Sequence, residues 1–373
     1  MNRALSIIGS LLLWLMIIAF AVYFNGRAKQ HYASAPITQM DIVLTDSLQD
    51  EVLVKSHTVE NWIKRSGIPT IGTPIGEVNY SGIEQTIRKN GFIAGVNSYA
   101  SYDGRLRVEV SQRRPILRLA MNGYDNYITD DGFLFATPPG SAVYAPIVTG
   151  TYAPPVPAQY VGPIEDYIKS LIEESEARIL EMQHEKVPLF ERDDEISDSL
   201  RSVTKIRISK RFLKELRLKF QPSYLEEYKA DVESTRAYKA ALRKKYRYWR
   251  RVNNQKIDAV TARQDAEREN QKKLTKRYED LLKLINFVRY IENDDFWRAE
   301  IVQIVASTMS SGELQLELIP RSGRHRIKFG TVDDVEGKLD RLSAFYRNGL
   351  SNIGWDEFRS ISVEYKGQVV CTK

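Results

Sequence analysis

The chain has 373 residues, with 54 Lys plus Arg against 48 Asp plus Glu and a net charge of +6. This small excess of positive charge does not by itself indicate a nucleic-acid-binding protein. An apolar content of 43% is ordinary for folded protein, and the length predicts two or three domains. Because Cys371 is the single cysteine of the sequence, an intrachain disulfide and a cysteine-ligated zinc site are excluded.

The start of the chain is strongly apolar. Residues 4–24 contain no charged side chain, and about 20 apolar residues at about 1.5 Å each match the hydrocarbon core of a bilayer. We therefore predict a transmembrane helix at 4–24, after a short cytoplasmic tail at 1–3 and before a linker at 25–36. A cleavable signal peptide is the alternative, because Ala33-Ser34-Ala35 resembles a processing site. That motif lies well beyond the apolar run, which favours the uncleaved anchor.

Charge does not orient this anchor. Arg3 lies on one side of the apolar run, and Arg27 and Lys29 lie on the other. The excess of Lys and Arg on the cytoplasmic side, which orients membrane helices, is therefore too small to use. The orientation has to come from the nature of the rest of the chain.

Residues 37–119 are predicted to form a small α+β unit. Alternating apolar and polar residues indicate strands, apolar residues four apart indicate helices, and Asp103-Gly104 is the pair that a type I′ hairpin turn requires. Pro115 separates the last strand of this unit from the next. The predicted elements, in order, are a strand at 37–45, helices at 57–66 and 81–89, and strands at 93–102 and 105–112.

This order, together with the stretch VEVSQRRPILRL at 108–119, resembles the POTRA domain of the FtsQ/DivIB division proteins. In that family the third strand ends in a close variant of Glu-Arg-x-Pro, whereas this chain has Gln112-Arg113-Arg114-Pro115. The resemblance implies an α+β fold in which a POTRA-like domain precedes a β domain.

The predicted β domain is divided in the sequence. Its first part, at 120–160, contains strands around a turn at Asp130-Asp131-Gly132. Its second part, at 281–373, is predicted as a helix, a three-strand meander, a second helix and a final strand pair turning at Lys366-Gly367. This order is similar to the β domain of FtsQ/DivIB proteins.

Between these two parts lies a charged helical insertion at 161–280. Apolar residues recur there at helical spacing, and Pro188 and Pro222 are predicted to divide the block. Residues 161–200 hold 12 acids against 4 bases, and residues 201–277 hold 24 bases against 9 acids. Blocks of opposite charge indicate an antiparallel helical hairpin of coiled-coil type or a partner-binding arm. A solvated extended helix is the alternative.

Two motifs in this insertion suggest other functions. KKYRYWRR, at 244–251, interleaves bases with aromatic residues, which is one signature of a nucleic-acid-binding surface. We interpret it as a packing seam with cationic flanks. Ser202-Val203-Thr204-Lys205 matches the S-x-x-K of penicillin-binding enzymes, but it lacks the accompanying S-D-N and K-T-G motifs.

The sequence offers no candidate catalytic site. Its four histidines, His31, His57, His184 and His325, lie on separate predicted elements without zinc-site spacing. Three pairs of adjacent aspartates lie beside turns or helix starts, where they are expected to cap backbone N–H groups. We therefore expect a protein that is not an enzyme and has no cofactor, no metal and no small-molecule substrate. The three aspartate pairs are Asp130-Asp131, Asp294-Asp295 and Asp333-Asp334.

The resemblance implies a single-pass inner-membrane protein with a cytoplasmic N-terminus and a periplasmic body. It implies a non-catalytic scaffold of the division machinery that binds FtsB/DivIC-like and FtsL-like proteins and helps to recruit or regulate septal peptidoglycan synthesis, in contact with the synthase complex. The partner-binding residues carried over from the family are those of the penultimate strand, the turn and the final edge strand. They are Tyr365, Gly367, Gln368, Val369 and Val370.

Two other functions stay open. A POTRA-containing envelope-assembly protein unrelated to division is the main alternative, and a membrane-tethered nucleic-acid binder is a further one. The family often has an aromatic residue at positions corresponding to 368–370, which this chain lacks. Backbone pairing along an exposed strand would not depend on that residue.

Overall fold

The computed structural model describes residues 2–45, 53–139, 143–207, 222–355 and 357–373, and leaves the side chains of 2–12, 222 and 224 undescribed. The chain forms two compact units. One comprises Met1–Tyr167 and Glu279–Lys373, and the other comprises Ile168–Tyr278.

The first unit begins with helix α1 (Asn2–Ser34). Within the described residues, no helix is both long enough and apolar enough to cross a bilayer. The predicted span at 4–24 begins in residues 4–12, whose side chains are outside the description, and its residues from 13 to 24 are exposed. The helix is therefore confirmed, and its assignment as a membrane span stays a prediction.

A small α+β domain follows α1. Its three-stranded sheet has the order β1-β3-β2, with β1 parallel to β3 and β2 antiparallel to β3. Val59, Ile63, Ile83 and Ile87 on the two helices are buried with Leu106, Val108 and Val110 of β3 in one apolar core, as the alternation and the helical spacing predict. The elements are β1 (Gln39–Leu44), α2 (Ser56–Arg65), a 3₁₀ turn (Ile75–Glu77), α3 (Tyr80–Arg88), β2 (Ile93–Ala100) and β3 (Arg105–Gln112).

The rest of the first unit is built on a mixed ten-stranded sheet. Its strand order is β13-β12-β11-β10-β9-β7-β4-β5-β6-β8. The strands are β4 (Pro115–Met121), β5 (Tyr124–Thr129), β6 (Phe133–Ala136), β7 (Ile147–Gly150), β8 (Gly162–Pro163), β9 (Ile301–Thr308), β10 (Leu314–Pro320), β11 (Arg326–Thr331), β12 (Ser360–Ser362) and β13 (Val370–Thr372).

The two sequence-distant parts of this sheet meet at β7. Val148 of β7 is the parallel register partner of Leu119 in β4 and of Ile304 in β9. The predicted domain boundary at 119 divides β4, but the structure places the whole strand in the large sheet. The reason is that β4, which begins at Pro115, pairs with both β5 and β7 of the large sheet.

Three helical elements follow the insertion in the first unit. Leu284, Phe287, Val288 and Ile291 of the last turns of helix α5 (Pro222–Glu292) are buried, and the Phe287 ring lies 4.8 Å from that of Phe329 in β11. Helix α6 (Asp295–Glu300) comes next. Helix α7 (Val335–Phe345) continues through a π turn (Tyr346–Leu350) and a final α turn (Ser351–Ile353).

The second unit consists of helix α4 (Ile164–Lys205) beyond residue 167 and the part of α5 before residue 279. The helices run antiparallel, because the Asn253 amide donates to the Leu189 carbonyl at 2.8 Å while the Gln271 amide reaches the Ile172 carbonyl at 3.5 Å. The predicted helical hairpin is therefore confirmed.

The prediction that Pro188 divides the helical block is wrong, because α4 runs through it. Proline in a helix interior removes one backbone hydrogen bond. Pro188 is exposed, so water can satisfy the freed carbonyl. Contacts on either side hold the helix against α5: the Lys186 ammonium group donates to Gln264, and the Leu189 carbonyl accepts from Asn253. Pro222, in contrast, begins α5, where its missing N–H costs little.

Candidate functional site

The last strand of the chain lies at one edge of the ten-stranded sheet. Strand β13 pairs antiparallel with β12, in which Ile361 is the partner of Cys371 and Ser362 is the partner of Val370. Strand β12 pairs parallel with β11. Among the described residues, no strand pairs with the outer side of β13. Its outer backbone groups can therefore pair with an extended segment from another chain.

The predicted partner-binding tyrosine does not lie in a strand. Because β12 ends at Ser362, Tyr365 lies in the connection to β13 and is 54% exposed. The prediction that places Tyr365 in the penultimate strand is therefore wrong. The Val363 amide donates the last ladder hydrogen bond of this pairing to the Lys328 carbonyl at 3.0 Å, and the chain leaves the strand at Glu364, whose side chain bonds to Gln315 and Ser362.

Two contacts hold Glu364 at the end of β12. The Gln315 amide donates to Glu364 Oε1 at 2.9 Å, and the Ser362 hydroxyl donates to Glu364 Oε2 at 3.2 Å. Glu364 also packs on Gly330, where a Cβ atom would come within 2.7 Å of the Glu364 Cγ atom. The connection is thus anchored on β10 and β11 before Tyr365.

The other predicted partner-binding residues follow this anchor. Gly367 has φ +77°, a left-handed conformation that glycine adopts at little cost. Gln368 is exposed and Val369 is half-buried, and both precede β13. Val370 begins β13 and is 41% exposed. The structure therefore brings Tyr365, Gly367, Gln368, Val369 and Val370 to one edge of the sheet, with Val370 alone in a strand.

The side chains of β13 alternate in exposure. Val370 and Thr372 are exposed, whereas Cys371 is half-buried and pairs with the fully buried Ile361. Burial raises the pKa of the Cys371 thiol, so this cysteine is less reactive than a free thiol. The strand presents one apolar side chain and its backbone to a partner, with no reactive group.

A buried polar cluster lies near the start of β11 and has no counterpart in the sequence prediction. The Nε2 atom of His325 and the Tyr346 hydroxyl are 2.9 Å apart, and the Ser322 hydroxyl donates to the Glu300 carboxylate. Burial, and then the charge of Glu300, raise the pKa of Tyr346 above its ordinary range. The only sequence signal was the spacing of polar residues in otherwise apolar elements, which does not identify partners.

The motifs with a catalytic interpretation have structural roles. The Ser202 hydroxyl donates to the Ser199 carbonyl at 2.7 Å, and the Thr204 hydroxyl donates to Arg201. The S-x-x-K match is therefore part of the last turns of α4. Among the described residues, no cluster of three His, Cys, Asp or Glu side chains is arranged to hold a metal ion.

The aspartate pairs accept hydrogen bonds from backbone N–H groups or form ion pairs with neighbouring arginines. Asp294 accepts from the backbone N–H groups of Phe296 at 2.9 Å and Trp297 at 3.0 Å, so its predicted capping role is confirmed. Asp334 precedes α7 but makes no side-chain cap, and it lies 3.5 Å from Arg341 instead. Asp130 accepts from Arg289 near the end of α5.

The stretch at 244–251 lies within α5 in the helical unit. The Tyr246 and Trp249 rings meet edge to face at 5.6 Å, as their spacing on one helical face predicts, and the Lys245 ammonium group lies 4.6 Å from the Trp249 ring centre. Arg250 lies 3.5 Å from the Asp193 carboxylate of α4. Trp249 is 40% exposed, so the aromatic pair lies at the surface of α5, and this stretch contacts α4 through Arg250. The interpretation as a packing seam therefore stays a prediction.

Comparisons with known proteins match two regions of the chain. A POTRA-like domain matches residues 37–111, which include the three-stranded sheet and its two helices. A family described as FtsQ/DivIB, C-terminal related, matches residues 256–372, which include the end of α5 and the strands from β9 to β13. No curated protein matched the chain.

The two matched domains have the order that the sequence predicts. Such domains are typical of non-catalytic proteins, and they indicate a scaffold associated with cell division that acts through contacts with other proteins. The match of both the POTRA-like domain and the C-terminal related domain supports an FtsQ/DivIB-type protein.

Proposed function

We propose that this protein is a non-catalytic scaffold of the division machinery whose edge strand β13 docks an extended segment of a partner. The observation that carries the proposal is the outer side of β13, with which no strand of the described residues pairs, within the region that matches the FtsQ/DivIB C-terminal related family. An open edge supplies main-chain hydrogen bonds to a partner strand, and neighbouring side chains supply selectivity.

The proposed partners are FtsB/DivIC-like and FtsL-like division proteins, through which the scaffold helps to recruit or regulate septal peptidoglycan synthesis. Tyr365 is exposed beside the edge and gives a partner a large, rigid contact surface with few rotamers. Val370 gives an apolar contact on the edge strand itself. Tyr365 follows Glu364 in the connection that leads to β13, and Val370 begins that strand, so a partner can contact both at the same edge.

We propose that the protein resides in the inner membrane with a cytoplasmic N-terminus and a periplasmic body. The absence of charge in residues 4–24 supports an anchor there. The exposure of Leu13, Trp14 and Phe20 supports it too, since large apolar side chains on the outside of a helix need an apolar environment. A reporter enzyme fused after residue 373 tests this location, and activity of the fusion only in the cytoplasm would refute it.

Co-purification of the full-length protein with its cellular FtsB/DivIC-like and FtsL-like partners tests the docking edge. We expect Tyr365→Lys and Val370→Lys each to lower the recovered partner about tenfold, which corresponds to about 1.4 kcal/mol. Tyr102→Lys is the matched control, because Tyr102 is 95% exposed and lies in the turn after β2, in the small domain. Equal recovery with both edge variants would refute docking at β13.

The alternative function is envelope assembly without a role in division. The match of residues 37–111 to a POTRA-like domain is the observation that favours it, since that match is not specific to division proteins. Depletion of the protein separates the two functions. Filamentous cells support the division scaffold, whereas normal division with defective envelope assembly would support the alternative.

A further inference from the structure

Acidic side chains of α4 pair with basic side chains of α5 along the helical unit. The Arg263 guanidinium donates to the Glu185 carboxylate at 2.9 Å, and Arg250 lies 3.5 Å from Asp193. Polar contacts also continue in the buried seam, where Gln264 donates to the Ile179 carbonyl at 3.1 Å. Over this part of its length, helix α5 is therefore paired with the acidic helix α4.

This pairing ends before α4 does. Asp198 lies 3.2 Å from Arg201, three residues along its own helix, so its carboxylate is directed along α4. Arg243, Arg247 and Arg251 are exposed and make no ion pair with any residue that the structure describes. Three guanidinium groups of α5 thus remain without an acidic partner among the described residues.

The unpaired arginines line an open cleft. Its volume is about 710 Å³, and its lining includes Arg243, Arg247, Arg250 and Arg251 of α5 together with Leu200 and Thr204 near the end of α4. Three of these arginines are spaced four residues apart, which places them about 6 Å apart along one helical face. The cleft is therefore a basic groove with an apolar contribution from Leu200.

We propose that this cleft docks an acidic helix of a partner protein, with carboxylates four residues apart facing Arg243, Arg247 and Arg251. The spacing of such carboxylates equals that of the arginines, and a guanidinium group forms paired hydrogen bonds with a carboxylate. Leu200 supplies an apolar contact for the partner helix. Glu185 and Asp193 of α4 already form ion pairs with arginines of α5. The proposal assigns the same kind of pairing to a second acidic helix, from a partner protein.

The shape of the cleft and its lining favour a protein helix over other polyanions. A bilayer surface is flat, so its headgroups meet exposed ridges more readily than a groove between two helices. A nucleic acid follows a continuous basic track with aromatic stacking, whereas the described lining of the cleft includes the Asp258 carboxylate and no aromatic side chain. An acidic helix places discrete carboxylates opposite discrete arginines.

Fluorescence anisotropy with the full-length protein in a neutral detergent tests this proposal. The probe is a fluorescein-labelled 16-residue Ala-based peptide with Glu at every fourth position, compared with the same peptide carrying Gln. We expect the Glu peptide to bind at least tenfold more tightly than the Gln peptide. Arg243→Gln/Arg247→Gln should weaken the Glu peptide about tenfold.

The control is Lys245→Gln/Lys256→Gln, which removes the same charge from exposed positions of α5 outside the cleft. We expect less than a twofold change in the affinity of the Glu peptide, with an unchanged far-ultraviolet circular dichroism spectrum in both double variants. An equal loss of Glu-peptide affinity in the arginine variant and in the lysine control would show that only net charge matters, and it would overturn the proposal. Stronger loss of binding to phosphatidylglycerol vesicles or to single-stranded DNA in the arginine variant, with no loss of peptide binding, would overturn it in favour of that ligand.

Discussion

The ammonium group of Lys338 donates a hydrogen bond to the carbonyl oxygen of Thr331 at 2.7 Å. Lys338 is only 4% exposed. Its charge lies 5.1 Å from the Phe329 ring centre and 3.7 Å from the Asp333 carboxylate. The buried cation therefore joins the start of α7 to the end of β11.

Replacing this lysine should destabilise the ten-stranded sheet. We expect Lys338→Ala to lower the free energy of unfolding by about 2–4 kcal/mol, because it leaves a cavity and an unpaired Thr331 carbonyl. Lys338→Met should cost less, since it fills the same space and lacks only the charge and the donor. Urea unfolding followed by tryptophan fluorescence measures both, in a background in which Trp14, Trp62 and Trp249 are replaced by Phe so that Trp297 and Trp355 report. Equal losses for the two variants would contradict the packing part of this explanation.

Asp294 and Asp295 are adjacent in sequence and should differ in their contribution to stability. Asp294 accepts from two backbone N–H groups at the start of α6, so Asp294→Ala should cost about 1 kcal/mol. Asp295 is 95% exposed and pairs with Arg298 on its own helix, so Asp295→Ala should change the free energy of unfolding by less than about 0.5 kcal/mol. The same urea titration measures both, and Asp294→Asn should retain most of the cap. A larger effect at Asp295 would refute the capping role.

Lys186 and Gln264 should be energetically coupled in the helical unit. Both are buried, and the Lys186 ammonium group donates to Gln264 Oε1. Gln264→Leu should cost about 3–5 kcal/mol, because it leaves a buried charge without its acceptor. Lys186→Met/Gln264→Leu should cost clearly less than the sum of the two single variants.

Thermal unfolding followed at 222 nm measures these variants, since most of the helical signal comes from α4 and α5. Lys245→Gln is the control for a change of charge at an exposed position of the same helix. Additive losses in the double variant would show that the two side chains do not interact energetically.

Tyr346 should make the protein sensitive to alkaline pH. Burial and Glu300 raise the pKa of Tyr346 in the folded state above its ordinary value of about 10. The folded protein therefore keeps this phenol protonated at pH values at which the same tyrosine in the unfolded chain has begun to lose its proton. Its contribution to stability is fully present below about pH 10 and is lost as the pH rises above that value.

Tyr346→Phe removes this titration together with the hydrogen bond to His325. At pH 8 we expect the wild type to be more stable by about 1–2 kcal/mol, and we expect the difference to shrink as the pH rises above about 10. Urea midpoints across this range measure the difference. A constant difference at all pH values would contradict the raised pKa of Tyr346.

The sequence predicted most of the local structure because local signals specify it. Asp103-Gly104 indicated the hairpin between β2 and β3, and Gly104 has φ +78°. Apolar residues four apart in α3 placed Ile83 and Ile87 in the core. The charge blocks of the insertion indicated two helices that fold together, and the ion pair of Arg263 with Glu185 agrees.

The candidate site depended more on long-range pairing. The sequence indicated a final strand pair, but the end of β12 is marked by its last ladder hydrogen bond, from Val363 to Lys328 of β11, and by the contact of Glu364 with Gln315 of β10. Those residues lie 35 to 49 positions away, as the numbering shows. No periodicity near Tyr365 contains that information, and the strand was therefore predicted too long.

By itself, the sequence determined the kinds of elements, their order and the resemblance to FtsQ/DivIB proteins, because turn chemistry and apolar periodicity are local properties. Only the tertiary structure decided that β7 joins β4 to β9 across the insertion, that Tyr365 lies in the connection between β12 and β13 and not within β12, and that Arg243 and Arg247 lack acidic partners among the described residues. These features depend on which distant residues meet, and that is fixed by the pairing of strands and helices in three dimensions.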